Sequence, residues 1–334
     1  MLTRRDFLKL SGAGLLTALF AGVLPDLGQA APVPRLGRVA WARLPIRESP
    51  SLHAPQVGTV FRDTVLDVAE GVYAGSPEDY NRLWYRLNNG DFVYSGGVQP
   101  VREQPNLPVS SLEQPTVGEV TVPFSDTYRG INHTPSAGRR VYYATTHWIL
   151  ETVTDRRDGQ IWYKAYDYVY RSLYYLPAEH VRILPAEELT LTSPDIPTDD
   201  KTIEVRLPEQ LVLAYEAEHL VFVARVATGQ GYHATPSGLF RTFHKRPTAR
   251  MSGGDGVSSS YDLLGVPWDT YITENGVAFH GTFWHNDFGA PRSHGCINMT
   301  PDSARWIYRW TLPVVPVAEP YLYRPGTGTT VRII

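Results

Sequence analysis

The sequence predicts an all-β chain, with two small β-barrels ahead of a larger mixed β unit that carries one short helix near its end. Short runs of alternating apolar and polar residues recur along the 334 residues. Turn formers such as Asn88-Asn89-Gly90-Asp91 and Glu274-Asn275-Gly276 separate those runs, and a single helix-start pattern, Thr300-Pro301-Asp302-Ser303, stands out. A chain of this length exceeds what one hydrophobic core holds, so several units are expected.

Residues 1–30 read as an export signal. Thr3-Arg4-Arg5-Asp6-Phe7-Leu8-Lys9 is a twin-arginine pattern, and the apolar run from Leu10 to Leu24 follows it. That run is shorter than the roughly 20 residues a spanning helix needs. Gly28-Gln29-Ala30 offers small residues for cleavage, and an uncleaved anchor is the alternative. Either way the working part is expected outside the cytoplasm, in the periplasm or cell wall. Losing Arg4, Arg5, Lys9, Asp6 and Asp26 takes 31 basic and 34 acidic side chains to 28 and 32. Without a polybasic tract or acidic tail, nucleic acid and anionic membranes have no electrostatic claim on the chain, and a monomer is expected.

Residues 37–102 read as short strands: Thr59-Val60-Phe61 and Val65-Leu66-Asp67-Val68 alternate, and scattered Gly and Pro break them. Ala42-Arg43-Leu44-Pro45-Ile46-Arg47 with Trp84-Tyr85-Arg86-Leu87 and Asp91-Phe92-Val93-Tyr94 resembles a bacterial SH3-like wall domain. Leu83-Trp84-Tyr85 recurs as Ile161-Trp162-Tyr163, so residues 117–184 are read as a second copy. Its tyrosines Tyr163, Tyr166, Tyr168, Tyr170, Tyr174 and Tyr175 suit either a ligand face or a half-buried pleated surface. Residues 185–201, rich in proline and acid, read as a linker before a unit over 202–334.

In that unit Leu211–Tyr215 and Leu220–Val226 form a meander across a break at Glu216–His219, and the Gly/Ser-rich stretch Ser252–Ser260 is a candidate lid. Asn275-Gly276 between alternating runs predicts a type I′ hairpin. In its second strand Val277 and Phe279 share one face, with Ala278 and His280 on the other. Thr300 as N-cap, Pro301 at the first helical position and Asp302 in the first turn predict a helix to about Trp310.

Chemistry concentrates at Ser293-His294-Gly295-Cys296-Ile297-Asn298, which holds the only cysteine. With one Cys no intrachain disulfide forms, so an exported chain that keeps a lone thiol has a use for it. A free thiol of pKa ~8.5 is scarcely ionised at neutral pH, and a neighbouring imidazole removes that deficit by taking the proton. Gly295 permits a tight turn, and successive amides at His294, Gly295 and Cys296 can face an oxyanion. The bland alternative, a small buried hydrophobe, fits poorly in so polar a loop.

The run Ser-His-Gly-Cys-hydrophobic-Asn, preceded by His280-Gly281-Thr282, resembles the signature of the L,D-transpeptidase (YkuD-type) catalytic domain. Ala234-Thr235-Pro236-Ser237-Gly238-Leu239-Phe240 resembles that family's Thr-Pro-x-Gly-x-Phe stretch. The resemblance implies a mixed β-sandwich, no cofactor and no metal, and peptidoglycan stem peptides as partners. It implies Cys296 as nucleophile, His280 as base with its tautomer fixed by the Gly281 carbonyl, and Ser293, His294 and Gly295 as shapers of the catalytic loop. The acyl-enzyme would form with loss of D-alanine and pass to an amine of a second stem as a cross-link, or to water as in an L,D-carboxypeptidase. Asn298, Tyr261, Tyr232 and Trp284 are candidates for the substrate side, although aromatics there also pack and Asn298 also suits bracing the loop; His285 lies outside the motif and is expected at the surface. Three rivals stay open: a zinc hydrolase using His280, His285, Asp287, His294 and Cys296, a papain-like wall amidase, and an inactive wall-binding protein.

Overall fold

The structure is a computed structural model that describes residues 34–76, 79–131, 136–253 and 260–334. Residues 1–30, read from the sequence as an export signal, and residues 254–259 of the candidate lid lie outside these. No helix among the described residues is long and apolar enough to cross a membrane.

Period-two alternation becomes strands throughout. The first sheet contains β1 (Leu36–Val39), β2 (Arg43–Arg47), β3 (Gln56–Phe61), β4 (Val65–Tyr73), β5 (Leu83–Leu87), β6 (Phe92–Tyr94) and β7 (Val98–Val101), in the order β3-β2-β6-β5-β4-β1-β7. The second contains β8 (Thr116–Val120), β9 (Phe124–Tyr128), β10 (Ser136–Tyr142), β11 (Thr146–Thr154), β12 (Ile161–Asp167), β13 (Ser172–Pro177) and β14 (Val181–Ile183). Its order, β10-β9-β13-β12-β11-β8-β14, repeats the first strand for strand. Trp84 and Trp162, both buried, sit on the equivalent strands β5 and β12. Among the described residues neither sheet closes into a barrel by strand pairing; each wraps its own apolar cluster.

The segment 185–201 is packed rather than slack. Glu188 bridges Arg182 and Arg305, Leu189 is buried in a shared core, and the Thr192 amide donates to the Arg309 carbonyl at 2.9 Å.

Beyond it two five-stranded sheets face each other. One runs β17-β16-β15-β24-β18, from β15 (Lys201–Arg206), β16 (Leu211–Glu216), β17 (His219–Arg225), β18 (Gly238–Arg241) and β24 (Thr330–Ile333). The other runs β22-β21-β20-β19-β23, from β19 (His244–Gly253), β20 (Tyr261–Tyr271), β21 (Ala278–Gly281), β22 (Ile297–Met299) and β23 (Leu322–Tyr323). Each is mixed, with β15–β24 and β21–β22 as its parallel pairs. Helix α1 (Pro301–Trp310) starts at Thr300, whose Oγ1 accepts from the Ser303 amide at 3.2 Å. Its apolar side packs on β20 and β21. The core between the sheets joins Ile203, Val212, Phe279, Ile297, Ile307 and Trp310, and extends to Val117, Trp148 and Leu184 of the second N-terminal sheet.

Candidate active site

Two parallel strands place the chemistry. Phe279 pairs with Ile297 and His280 with Asn298, and Phe279 and Ile297 are both wholly buried in the core. Side chains alternate along a strand, so His280 must lie on the opposite face of the sheet, together with Cys296 and Asn298 on its neighbour. A slip of one residue would expose Phe279 and Ile297 at about 1.5–3 kcal/mol each, which pins the register.

The hairpin that leads into β21 differs from the sequence reading. Asn275 is absent from the residues of positive φ, and a type I′ turn requires positive φ at both central positions. The chain instead makes a four-residue turn, closed by the Gly276 amide on the Thr273 carbonyl at 3.2 Å, with only Gly276 left-handed at φ 98°. Cys296 Sγ reaches the Gly276 carbonyl at 3.5 Å, so this turn borders the nucleophile.

His280 is 2% exposed, and its Nδ1 lies 3.1 Å from the Gly281 carbonyl. A carbonyl only accepts, so Nδ1 carries the proton and Nε2 keeps a free lone pair. Burial lowers the imidazole to about 4, against a small opposing effect of that carbonyl. Burial also pushes the Cys296 thiol up to about 11; the nearby Ala278 amide opposes this and Asp269 adds to it. Both groups are therefore neutral in the free site at neutral pH.

The loop before Cys296 is tied at several points. Gly295 takes φ 115°, open to glycine at no steric cost. Ser293 Oγ donates to the Cys296 carbonyl at 2.5 Å and accepts from the Gly295 amide at 3.1 Å. The Gly295 amide is thus engaged, which corrects its expected place among the oxyanion donors. Thr235, from the Thr-Pro stretch, donates to the Gly295 carbonyl and accepts from the Gly229 amide, both at 2.8 Å.

Tyr261 and Trp284 meet the site: the Tyr261 ring is 5.5 Å from that of His294, and Trp284 is 5.6 Å from His280. His233 joins the same cluster, 4.8 Å from exposed His294. Tyr232 projects fully into solvent. Asn298, placed on the substrate side by sequence, is 3% exposed and its amide is 3.1 Å from His285 Nε2. His285, expected at the surface, is 6% exposed, because its Nδ1 accepts the Asp287 amide at 3.1 Å. Nδ1 being the acceptor, the proton sits on Nε2, and the Asn298 amide must present its oxygen to it.

Asp287 went unassigned apart from the zinc alternative, yet it is wholly buried. Its Oδ1 accepts from Tyr94 at 2.9 Å and Asn81 at 3.1 Å, and its Oδ2 from Tyr80 at 3.1 Å and from Arg292. Of the five residues of the zinc alternative, His285 and Asp287 are committed to these bonds. No signal in the sequence links Asp287 to partners 193 to 207 residues away.

Residues 200–333 match the YkuD family, the L,D-transpeptidase catalytic domain. The C-terminal unit of this chain is such a domain. Among solved structures, a variant of the Enterococcus faecium L,D-transpeptidase is similar at 24% identity over 40% of this chain and 50% of that one, with a TM-score of 0.33. The isolated catalytic domain from E. faecium L,D-transpeptidase is 23% identical over 41% and 98%, with a TM-score of 0.32. An L,D-transpeptidase from Mycobacterium smegmatis is 18% identical over 57% and 90%, with a TM-score of 0.34. The match spans about half the length of the first of these. No curated protein matches the chain.

Proposed function

We propose that the protein is an exported peptidoglycan L,D-transpeptidase with Cys296 as its nucleophile. The observation that carries this reading is the β21–β22 register, which sets Cys296 and His280 on one face while the Gly281 carbonyl leaves His280 Nε2 free to accept a proton. The thiol attacks the carbonyl between the third residue of a stem tetrapeptide and its terminal D-alanine. As the S–C bond forms, His280 Nε2 takes the thiol proton, and it returns that proton to the departing D-alanine amine. With both groups neutral at rest, proton transfer accompanies attack rather than preceding it. The amides of His294 and Cys296 hold the oxyanion. An amine of a second stem then attacks the thioester, forming an amide cross-link and restoring the thiol.

In this reading residues 1–30 are a twin-arginine signal, the sheets over 37–102 and 117–184 are SH3-like wall-associated modules, and 202–334 is the catalytic unit. The repeated strand order supports the duplication.

Intact-protein mass spectrometry of residues 31–334 with a tetrapeptide muropeptide tests the reaction. A thioester-sized gain, absent in Cys296→Ala, with released D-alanine and cross-linked dimer is expected. Adduct and D-alanine without dimer would indicate a carboxypeptidase. Cleavage that survives Cys296→Ala would refute the nucleophile.

A further inference from the structure

The segment between the two reacting side chains, residues 281–295, is held from two directions. Within its own unit the Gly289 amide donates to the Val226 carbonyl and the Arg292 and Ser293 amides to the Thr228 carbonyl, and a second set of attachments comes from the first N-terminal sheet. The Asn286 amide donates to the Gly96 carbonyl at 2.9 Å, and Arg38 donates to the Phe283 carbonyl at 2.6 Å. At the centre is Asp287. An ionised carboxylate accepts about four hydrogen bonds, and Asp287 receives four donors, three of them from β6 and the segment before β5. The approach is close enough that a Cβ on Gly96 would lie 2.7 Å from the Asp287 carboxyl carbon.

From this anchor a continuous line of bonds leads inward. The Asp287 amide donates to His285 Nδ1, and His285 Nε2 meets the Asn298 side chain. The Asn298 backbone pairs both ways with Ala227, each bond at 3.0 Å, two residues beyond Cys296 and opposite His280 in the register. On the other branch Arg292 contacts Asp287 and Tyr80, and precedes Ser293, whose hydroxyl shapes the turn at Gly295.

We propose that Asp287 is a positioning residue and that the first N-terminal sheet is a working part of the active site. Through Tyr80, Asn81 and Tyr94 it fixes the loop that sets Cys296 against His280. An error of about 1 Å between reacting groups costs up to about a hundredfold in rate, so loss of this anchor should act on turnover rather than on substrate affinity. This inference rests on the acyl-transfer reading above.

The test is made on the full mature chain with Tyr80→Phe/Tyr94→Phe, which removes two donors to Asp287 and the hydroxyl that accepts from Arg292 while changing no residue of the catalytic unit, and with Asp287→Asn. Three quantities are read: kcat and KM for stem-peptide turnover, the thermal midpoint, and the rate at which iodoacetamide alkylates Cys296. The expected result is a kcat lowered about tenfold, KM within about twofold, and a folded protein at assay temperature. A raised KM with unchanged kcat would mean that the sheet contacts substrate instead. A lowered midpoint with unchanged kcat would reduce the contact to simple stability, and either result overturns the proposal. If the native protein forms no acyl-enzyme, the acyl-transfer reading fails separately. Alkylation then decides: a change of at least about threefold in both variants supports positioning, and an unchanged rate ends it.

Discussion

Asp287 and Asp269 are both wholly buried carboxyl groups, and they have opposite surroundings. Asp287 is met by four donors, two at each oxygen. Asp269, on β20, has no hydrogen-bond partner in another residue for either oxygen among the described residues; its own amide and the charge of Arg246 give modest relief. Burial drives its titration well above the ordinary carboxylate range and so favours the neutral acid. The pairing of Thr270 with Phe279 and Tyr271 with Ala278, continued one step, sets Asp269 across from His280. Burial opposes at Asp269 the negative charge that would raise the Cys296 thiol further, while at Asp287 three donors from the first N-terminal sheet and Arg292 meet the carboxyl oxygens.

The comparison breaks most visibly at Asp287. Asp287→Ala leaves Arg292, itself a third exposed, and three neutral donors without their acceptor, and should cost about 1–3 kcal/mol. Chemical denaturation of the full chain measures it; a loss below about 1 kcal/mol would mean that water replaces the carboxylate.

Acid should come next. His280 is held at about 4 and His285 at about 3 by burial, both below the 6.5 of a free imidazole. The unfolded chain therefore binds protons that the native state refuses. The contribution of these two histidines is full above about pH 6.5 and falls as pH drops through the window down to those native values, by roughly 1.4 kcal/mol per pH unit for each. Protonated His285 also loses the lone pair that accepts the Asp287 amide, so turnover should fall only as pH approaches the native value of about 3. Thermal midpoints and kcat measured from pH 8 to pH 3 read both.

The smallest effect belongs to Asp269→Asn, which replaces a neutral acid by a neutral amide of the same shape and should change stability at acid pH by less than about 1 kcal/mol. Its signature is a slope. Native Asp269 keeps its proton while the unfolded chain loses it near 3.8, so the native protein loses stability as pH rises above that value, and the Asn variant should not. Parallel midpoint curves for the two proteins would show that Asp269 is ionised in the fold.

What the sequence made legible was local. The start of α1 at Thr300-Pro301-Asp302 and the alternation Val277–His280 are decided within a few residues, and both are found in the fold. The same holds for the tautomer of His280, since the Gly281 carbonyl is its chain neighbour. The turn at Asn275-Gly276 was misjudged because its type depends on φ at Asn275, which the dipeptide favours but does not dictate. His285, Asn298 and Asp287 escaped for another reason. Asp287 meets a sheet some two hundred residues earlier, and His285 and Asn298 are tied to Asp287 by bonds across the loop; no periodicity records which distant hydroxyls will arrive. Asp269, in Pro267-Trp268-Asp269-Thr270, carries no mark of the layers that enclose it.

The apolar cluster shared by Val117, Trp148, Leu184 and Leu189 with the strands of the catalytic unit ties their unfolding together. Leu264 of β20 completes the bond in the other direction, lying in the cluster of the second N-terminal sheet. Segments that share a core open as one cooperative unit, because neither can part without baring the other's apolar surface. The first sheet keeps a cluster of its own and joins the rest mainly through hydroxyl, amide and guanidinium groups. Parting it from the rest would therefore bare little apolar surface of the remaining core. The border written in the sequence near residue 200 divides two patterns of residues, while the border between apolar clusters that share no residue lies nearer residue 102.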